Sequence, residues 1–267
     1  MLNETQVNAY LHRLAYQGPR AVNLTTLTAL HHAHLQQIAF ENLDISLGKK
    51  LDLSTDTLLD KLLQQGRGGF CYELNQALAL LLETLGFTVS RLSARVHNGK
   101  DYGPDFDHML LLVRVDEQDY LADVGFGDCF RTPLQLGGEG VHELGLHYYL
   151  LADGEHHYVL MQAKDGGAGH AQYRFSLQAH AIEDFFEMCE YQQTSALSHF
   201  TQKSICSIAT VAGRISISNN KCIITDAARR HVHSIHGEDE YRALLLEHFG
   251  MHLPGHAEIG KLLARHA

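Results

Sequence analysis

The sequence predicts an α+β protein in three successive regions: a helical bundle over residues 1–90, an antiparallel sheet closing toward a barrel over 91–190, and an α/β region over 191–267. Three observations lead there. Apolar residues recur at helical spacing as far as Gly86, short alternating runs bounded by glycine turns follow, and both patterns return after Ile182. At 267 residues the chain is long enough to bury a sizeable core without covalent staples.

Asn3 and Gln6 are spaced as a reciprocal cap ahead of Val7, Tyr10, Leu11 and Leu14, with Gly18 ending that helix. Thr25 or Thr26 opens a second helix carrying Leu27, Leu30, Leu35 and Ile38. Ser54 or Thr55 caps a third through Leu58, Leu59, Leu62 and Leu63, and Gly66 sits where a left-handed residue would stop it. After a tight turn at Gly68-Gly69, a fourth helix runs from Cys71 to Gly86, and its nearly all-round apolar surface predicts burial.

Strands are predicted at 88–96, 108–115, 120–124, 147–151, 158–163 and 173–177, with Asp153-Gly154 as a hairpin turn. The last third predicts a helix over 182–191, paired strands over 204–210 and 213–218, a strand over 222–225, and helices over 239–249 and 256–266. The glycine-rich pieces at 137–140 and 166–169 lack the strand-to-helix setting and lysine of a phosphate loop and read as plain loops.

Composition narrows the function classes. Five cysteines, an odd number with no Cys-x-x-Cys pair, indicate neither a disulfide framework nor a thiolate zinc site, and a reducing cytoplasm fits them best. The chain shows no secretory leader and no run of the roughly 18 apolar residues that would span a bilayer. A net charge of −10 without a basic patch argues against nucleic acid as a partner. Twenty histidines cluster at His31, His32 and His34, at His156 and His157, and at His231, His233 and His236. None lies in a His-Glu-x-x-His pattern, so surface histidines and no metal are expected. No feature of the sequence specifies an oligomeric state.

Chemistry concentrates at Arg67-Gly68-Gly69-Phe70-Cys71, which places a cysteine at a helix start. Unpaired N–H groups there stabilise an anion, so the thiol pKa is expected below its free value of about 8.5 and Cys71 is a candidate nucleophile. The alternative is a cysteine packed as a small hydrophobe. A nucleophilic thiol needs a base and a group that orients the base. His108 opens an apolar strand, and Asp123 ends the next one. If the intervening turn spans Val115 to Asp119, His108 faces about Gly125, close to Asp123. An aspartate in an apolar strand is costly unless paired, although each residue could also be merely structural. The expected core is thus cysteine-protease-like.

These motifs, with Asp107-His108-Met109-Leu110, Asp123-Val124-Gly125-Phe126-Gly127 and Ile38-Ala39-Phe40-Glu41-Asn42-Leu43, resemble those of the arylamine N-acetyltransferase family, bacterial type. Similarity continues through Ser198-His199-Phe200-Thr201 and 206–210, in the same order. The resemblance implies a carboxy-terminal α/β lid and acetyl-coenzyme A as acetyl donor. It matches Cys71, His108 and Asp123 to a catalytic triad, Gly125, Phe126, Gly127 and Thr210 to coenzyme contacts, and Phe40, Phe70, Val96 and Phe126 to an aromatic substrate pocket. The segment 190–197 departs from the family pattern, and the chain contains no tryptophan.

The chemistry so implied is two-step acyl transfer through a Cys71 thioester to an arylamine, arylhydrazine or N-hydroxyarylamine. Two rivals use the same residues: a thiol hydrolase or protease, and a protein that binds coenzyme A or an aryl ligand without turnover.

Overall fold

A computed structural model of the chain describes residues 1–226 and 229–263. Helix α1 (Glu4–Arg13) begins with the reciprocal cap, the Asn3 side chain accepting the Gln6 N–H and the Gln6 side chain accepting the Asn3 N–H, both at 2.9 Å. It ends well before Gly18, because Ala15 itself adopts a left-handed φ of 51°. Helix α2 (Leu24–Gln37) starts earlier than the sequence indicates. Asn23 accepts the Thr26 N–H at 2.8 Å and takes the cap, which leaves Thr25 and Thr26 inside the first turn.

Strand β1 (Phe40–Glu41) and the short helices α3 (Leu43–Ser46) and α4 (Thr55–Leu59) follow. The last widens into a π turn over Asp60–Gln64 that stops at Gly66, φ 62°. Helix α5 (Cys71–Thr84) is buried without interruption from Cys71 to Leu82, which fixes its first residue in a packed frame.

The central sheet comprises β2 (Thr88–Val96), β3 (His108–Val115), β4 (Gln118–Ala122), β5 (Leu134–Gln135), β6 (Val141–Glu143), β7 (Leu146–Ala152), β8 (His157–Lys164) and β9 (His170–His180). Its order is β5-β4-β3-β2-β9-β8-β7-β6, antiparallel throughout. The two edge strands approach each other across the Glu143 carboxylate, which accepts the N–H groups of Arg131 (2.6 Å) and Thr132 (2.8 Å). The sheet is thereby a nearly closed barrel, filled by Leu92, Leu110, Phe130, Leu160 and Tyr173.

Beyond a 3₁₀ turn at Ile182–Phe185 come α6 (Phe186–Thr194) and α7 (His199–Gln202). A second sheet is then built from β10 (Ile205–Ala209), β11 (Gly213–Ser218), β12 (Lys221–Asp226) and β13 (Arg229–Ser234), in the order β1-β10-β11-β12-β13. Its first strand comes from the amino-terminal region: Phe40 pairs with Ser207 and Glu41 with Cys206. Helices α8 (Glu238–Phe249) and α9 (Ile259–Leu263) cover this sheet, Tyr241, Leu245 and Ile259 packing on Ile217 and Cys222. Helix α9 begins at Ile259, three residues later than expected from 256–266, and residues 264–266 lie outside the described residues. Among the described residues no helix is long and apolar enough to cross a membrane.

Candidate active site

The loop before α5 is held from both sides. Glu41 N–H donates to Gly69 O at 2.8 Å and Gly69 N–H to Ala39 O at 3.2 Å. A Cβ on Gly68 would stand 1.9 Å from the Ala39 carbonyl oxygen, so this crossing requires glycine. Beneath it lies a buried ion cluster. Arg67 reaches Glu41 (2.7 Å) and Asp44 (3.0 Å), while Lys61 reaches Glu73 (2.8 Å) and Asp44 (3.2 Å). Lys49, itself exposed, reaches Asp44 from outside at 3.7 Å, so three cations face the three carboxylates, and burial pushes the Glu73 carboxyl up despite Lys61. Glu73 Oε2 also accepts the Phe70 N–H at 3.1 Å, so this cluster fixes where α5 begins.

His108 and Asp123 meet across the β3–β4 hairpin. Its two-residue turn, Asp116-Glu117, has both residues at positive φ and sets Leu111 opposite Ala122. The pairing ends there. Continuing in register, His108 Nε2 lies 2.8 Å from Asp123 Oδ2. Both are buried, His108 at 2% and Asp123 at 0% exposure.

The Asp123 carboxylate is saturated. Oδ1 accepts from Asn75 Nδ2 (3.0 Å) and the Gly125 N–H (2.9 Å), and Oδ2 accepts from His108 and from the Tyr173 hydroxyl (2.9 Å). Burial works against its charge, but His108 and the hydrogen bonds from His108, Asn75 and Gly125 outweigh that cost and hold its pKa below the ordinary value. Its backbone N–H donates to His31 Nε2 at 3.0 Å, and the other ring nitrogen of His31 donates to Arg131 O at 2.6 Å. A carboxylate held to Nε2–H leaves the neutral His108 ring with an unprotonated Nδ1, which has no hydrogen-bond partner among the described residues.

Cys71 is 3% exposed, and its environment differs from the expected one. Burial pushes the thiol well above its ordinary value, opposed by a hydrogen bond from the Met109 N–H. Burial thus works against the anion that the helix start favours. Gly125 passes directly over this residue.

Cys71 and His108 line one cavity of about 480 Å³. Phe40, Val96, Phe126, Phe200 and Ile205 give it an apolar lining, with the Phe126 ring edge-on to His108 at 5.1 Å between centroids. Gly125 and Gly127 also border it. Phe70 does not: its ring is fully buried and packs edge-on against Tyr72 and Phe200. Thr210 is likewise off the wall, in the β10–β11 turn, where its carbonyl accepts from Arg131. Sequence reasoning overlooks Asn75, Tyr173 and the place of Phe200 on the wall, and its expectation of surface histidines fails for His31 and His34, which are fully buried because α2 packs them inward. Of these Asn75 leaves a signal, a polar residue one turn after Cys71 in an apolar helix, which must find buried partners.

The polar part of the wall includes Asp107, Gln192, Asp128 and Arg214. Arg214 Nε donates to Asp128 Oδ1 at 2.9 Å. Gln192 Nε2 donates to Asp107 Oδ1 at 2.7 Å.

The thiol and the histidine line one cavity, and the fully buried aspartate is bonded to the histidine's Nε2. A family model described as N-acetyltransferase matches residues 23–259. Arylamine N-acetyltransferase 2 of Mesocricetus auratus is 32% identical over 228 residues, covering 78% of this chain and 79% of the relative. Arylamine N-acetyltransferase 1 of Homo sapiens is 31% identical over the same shares. The chain belongs to the arylamine N-acetyltransferase family.

Solved structures agree. The arylamine N-acetyltransferase from Salmonella typhimurium superposes with a TM-score of 0.88 at 26% identity, over 98% of this chain and 97% of the other. The Mycobacterium marinum enzyme, solved in complex with CoA, gives 0.87 at 29% identity over 97% of each chain.

Proposed function

We propose that Cys71, His108 and Asp123 carry out the transfer of an acetyl group from acetyl-coenzyme A to an aromatic amine, through an acetyl thioester on Cys71. The observation that carries the assignment is the His108 ring: Nε2 is fixed on Asp123 at 2.8 Å, and the ring borders the cavity that Cys71 lines. Family membership supplies the reaction.

Because burial disfavours a lone thiolate, Cys71 ionises by giving its proton to His108 Nδ1. The sulfur attacks the thioester carbonyl, and unpaired N–H groups at the start of α5, that of Cys71 among them, stabilise the tetrahedral oxyanion. The carbon–sulfur bond to coenzyme A breaks, and its thiolate leaves with the proton from His108. An aromatic amine then attacks the new thioester and gives a proton to His108, which returns it to the departing Cys71 sulfur. Asp123 keeps the ring oriented and stabilises the imidazolium throughout.

The apolar walls suit an aryl ring and keep water from the acetyl-enzyme. Phe40, Val96 and Phe126 are the side chains we assign to that slot, and Gly125, Phe126 and Gly127 the strip beside the acetyl group. Five cysteines, all free, accord with a cytoplasmic location, and the charge of −10 with small-molecule rather than nucleic-acid partners.

Mixing the protein with acetyl-coenzyme A alone tests this reading. Release of free thiol should stop at about one equivalent per chain and resume when an arylamine is added. A protein that only binds would release none, and a thiol hydrolase would consume the donor steadily without amine.

A further inference from the structure

We propose that Asp107 selects the acceptor, penalising aromatic amines that carry a negative charge on the ring and leaving neutral and cationic ones unpenalised. The proposal rests on the acetyl-transfer reading and deepens it. Asp107 immediately precedes His108 and lines the same cavity, and its charge acts on the Cys71 sulfur. Among the described residues no lysine or arginine pairs with it at ion-pair distance, and the opposite charges that act on it are those of the His108 and His199 rings on the same wall. The other acidic residue of the wall, Asp128, is neutralised by Arg214 at 2.9 Å, and the one lysine of the wall, Lys203, is solvent-exposed.

A neutral amide holds the Asp107 carboxylate in place. Gln192, 6% exposed, donates from Nε2 to Asp107 Oδ1 at 2.7 Å, while its Oε1 accepts from the Ser198 hydroxyl at 2.6 Å. Ser198 in turn caps α7, accepting the Phe200 N–H at 3.1 Å. The amide is therefore committed in one orientation, its N–H₂ toward Asp107, and supplies a hydrogen bond but no compensating charge. Burial pushes the Asp107 carboxyl up from its ordinary value, the cost of a charge that solvent only partly covers. A second negative charge in the same apolar slot adds to that cost, whereas a neutral ring substituent does not.

Two acceptors of nearly equal shape test the idea: 4-aminobenzenesulfonamide, neutral, and 4-aminobenzenesulfonate, anionic throughout the accessible pH range. The readout is the ratio of their kcat/KM values with acetyl-coenzyme A. We expect the wild-type protein to favour the sulfonamide, and Asp107→Asn, which keeps the acceptor oxygen for Gln192, to shift the ratio toward the sulfonate by on the order of tenfold. An unchanged ratio in Asp107→Asn or a wild-type preference for the sulfonate would overturn the role of Asp107. Failure to acetylate either amine would overturn the acetyl-transfer reading and this proposal with it.

Discussion

Gly125 lies so close over Cys71 that a Cβ on it would stand 2.7 Å from the Cys71 Cα and 3.0 Å from its carbonyl oxygen. The strip that follows Asp123 and the first turn of α5 are thus in contact through backbone atoms, and the thiol and the acid are positioned by one close approach. Gly125→Ala should push these two segments apart and lower kcat/KM by about a hundredfold, since misplacing a reacting atom by about an ångström has that effect. Steady-state acetyl transfer checks it, and a near wild-type rate would show that the approach is not needed.

Lys61 is the hub of the ion cluster under that turn, touching Glu73 and Asp44. Lys61→Met leaves three buried carboxylates facing Arg67 and the exposed Lys49, and should cost about 3–5 kcal/mol of stability. Urea denaturation measures it. A loss below 1 kcal/mol would mean that the cluster relaxes or takes in water.

The buried thiol makes a pH prediction. With His108 present, Cys71 can ionise by proton transfer, so alkylation by iodoacetamide should persist well below pH 9. In His108→Gln the thiol depends on its own ionisation, which burial shifts upward. Because a raised pKa keeps a thiol protonated and unreactive, alkylation of the variant at pH 7 should fall at least about tenfold and recover only above pH 9. Superimposable curves for the two proteins would rule out the proton transfer.

Two histidines of α2 give an acid-stability prediction. Burial lowers His31 to about 4 and His34 to about 3, from an ordinary 6.5. A depressed histidine means that the unfolded chain takes up the proton first. Stability is therefore complete above about pH 6.5 and declines as pH falls toward 4, each group costing about 2 kcal/mol at pH 5. His34 Nε2 bonds to the Tyr10 hydroxyl at 2.9 Å, a contact that glutamine can imitate. His34→Gln should lose about 2 kcal/mol less than wild type between pH 7.5 and pH 5 in chemical denaturation. Parallel pH curves would contradict the assignment.

Much of the frame is legible in the sequence where local signals act alone. Strands β2 and β3 begin and end where the alternating runs do, and the two-residue Asp116-Glu117 turn fixes the register that carries His108 to Asp123. What the sequence conceals depends on distant chain. Asn75, Tyr173 and His31 lie 48, 50 and 92 residues from Asp123, and nothing local brings them there. Strand β1 is two residues long and is held by distant partners, β10 on one side and Gly69 on the other, while β13 is exposed along its length and carries no apolar pattern. Phe70 neighbours Cys71 in sequence, yet the backbone turn into α5 sends its ring inward to Tyr72 and Phe200, away from the cavity.

Incubation with acetyl-coenzyme A in the absence of any amine, followed by intact-mass measurement and peptide mapping, is the most direct test. One acetyl group should appear, mapping to Cys71, absent from Cys71→Ala and removed by added arylamine. An unmodified Cys71 in a preparation that still acetylates arylamines, or an acetyl group on another residue, would contradict the thioester route.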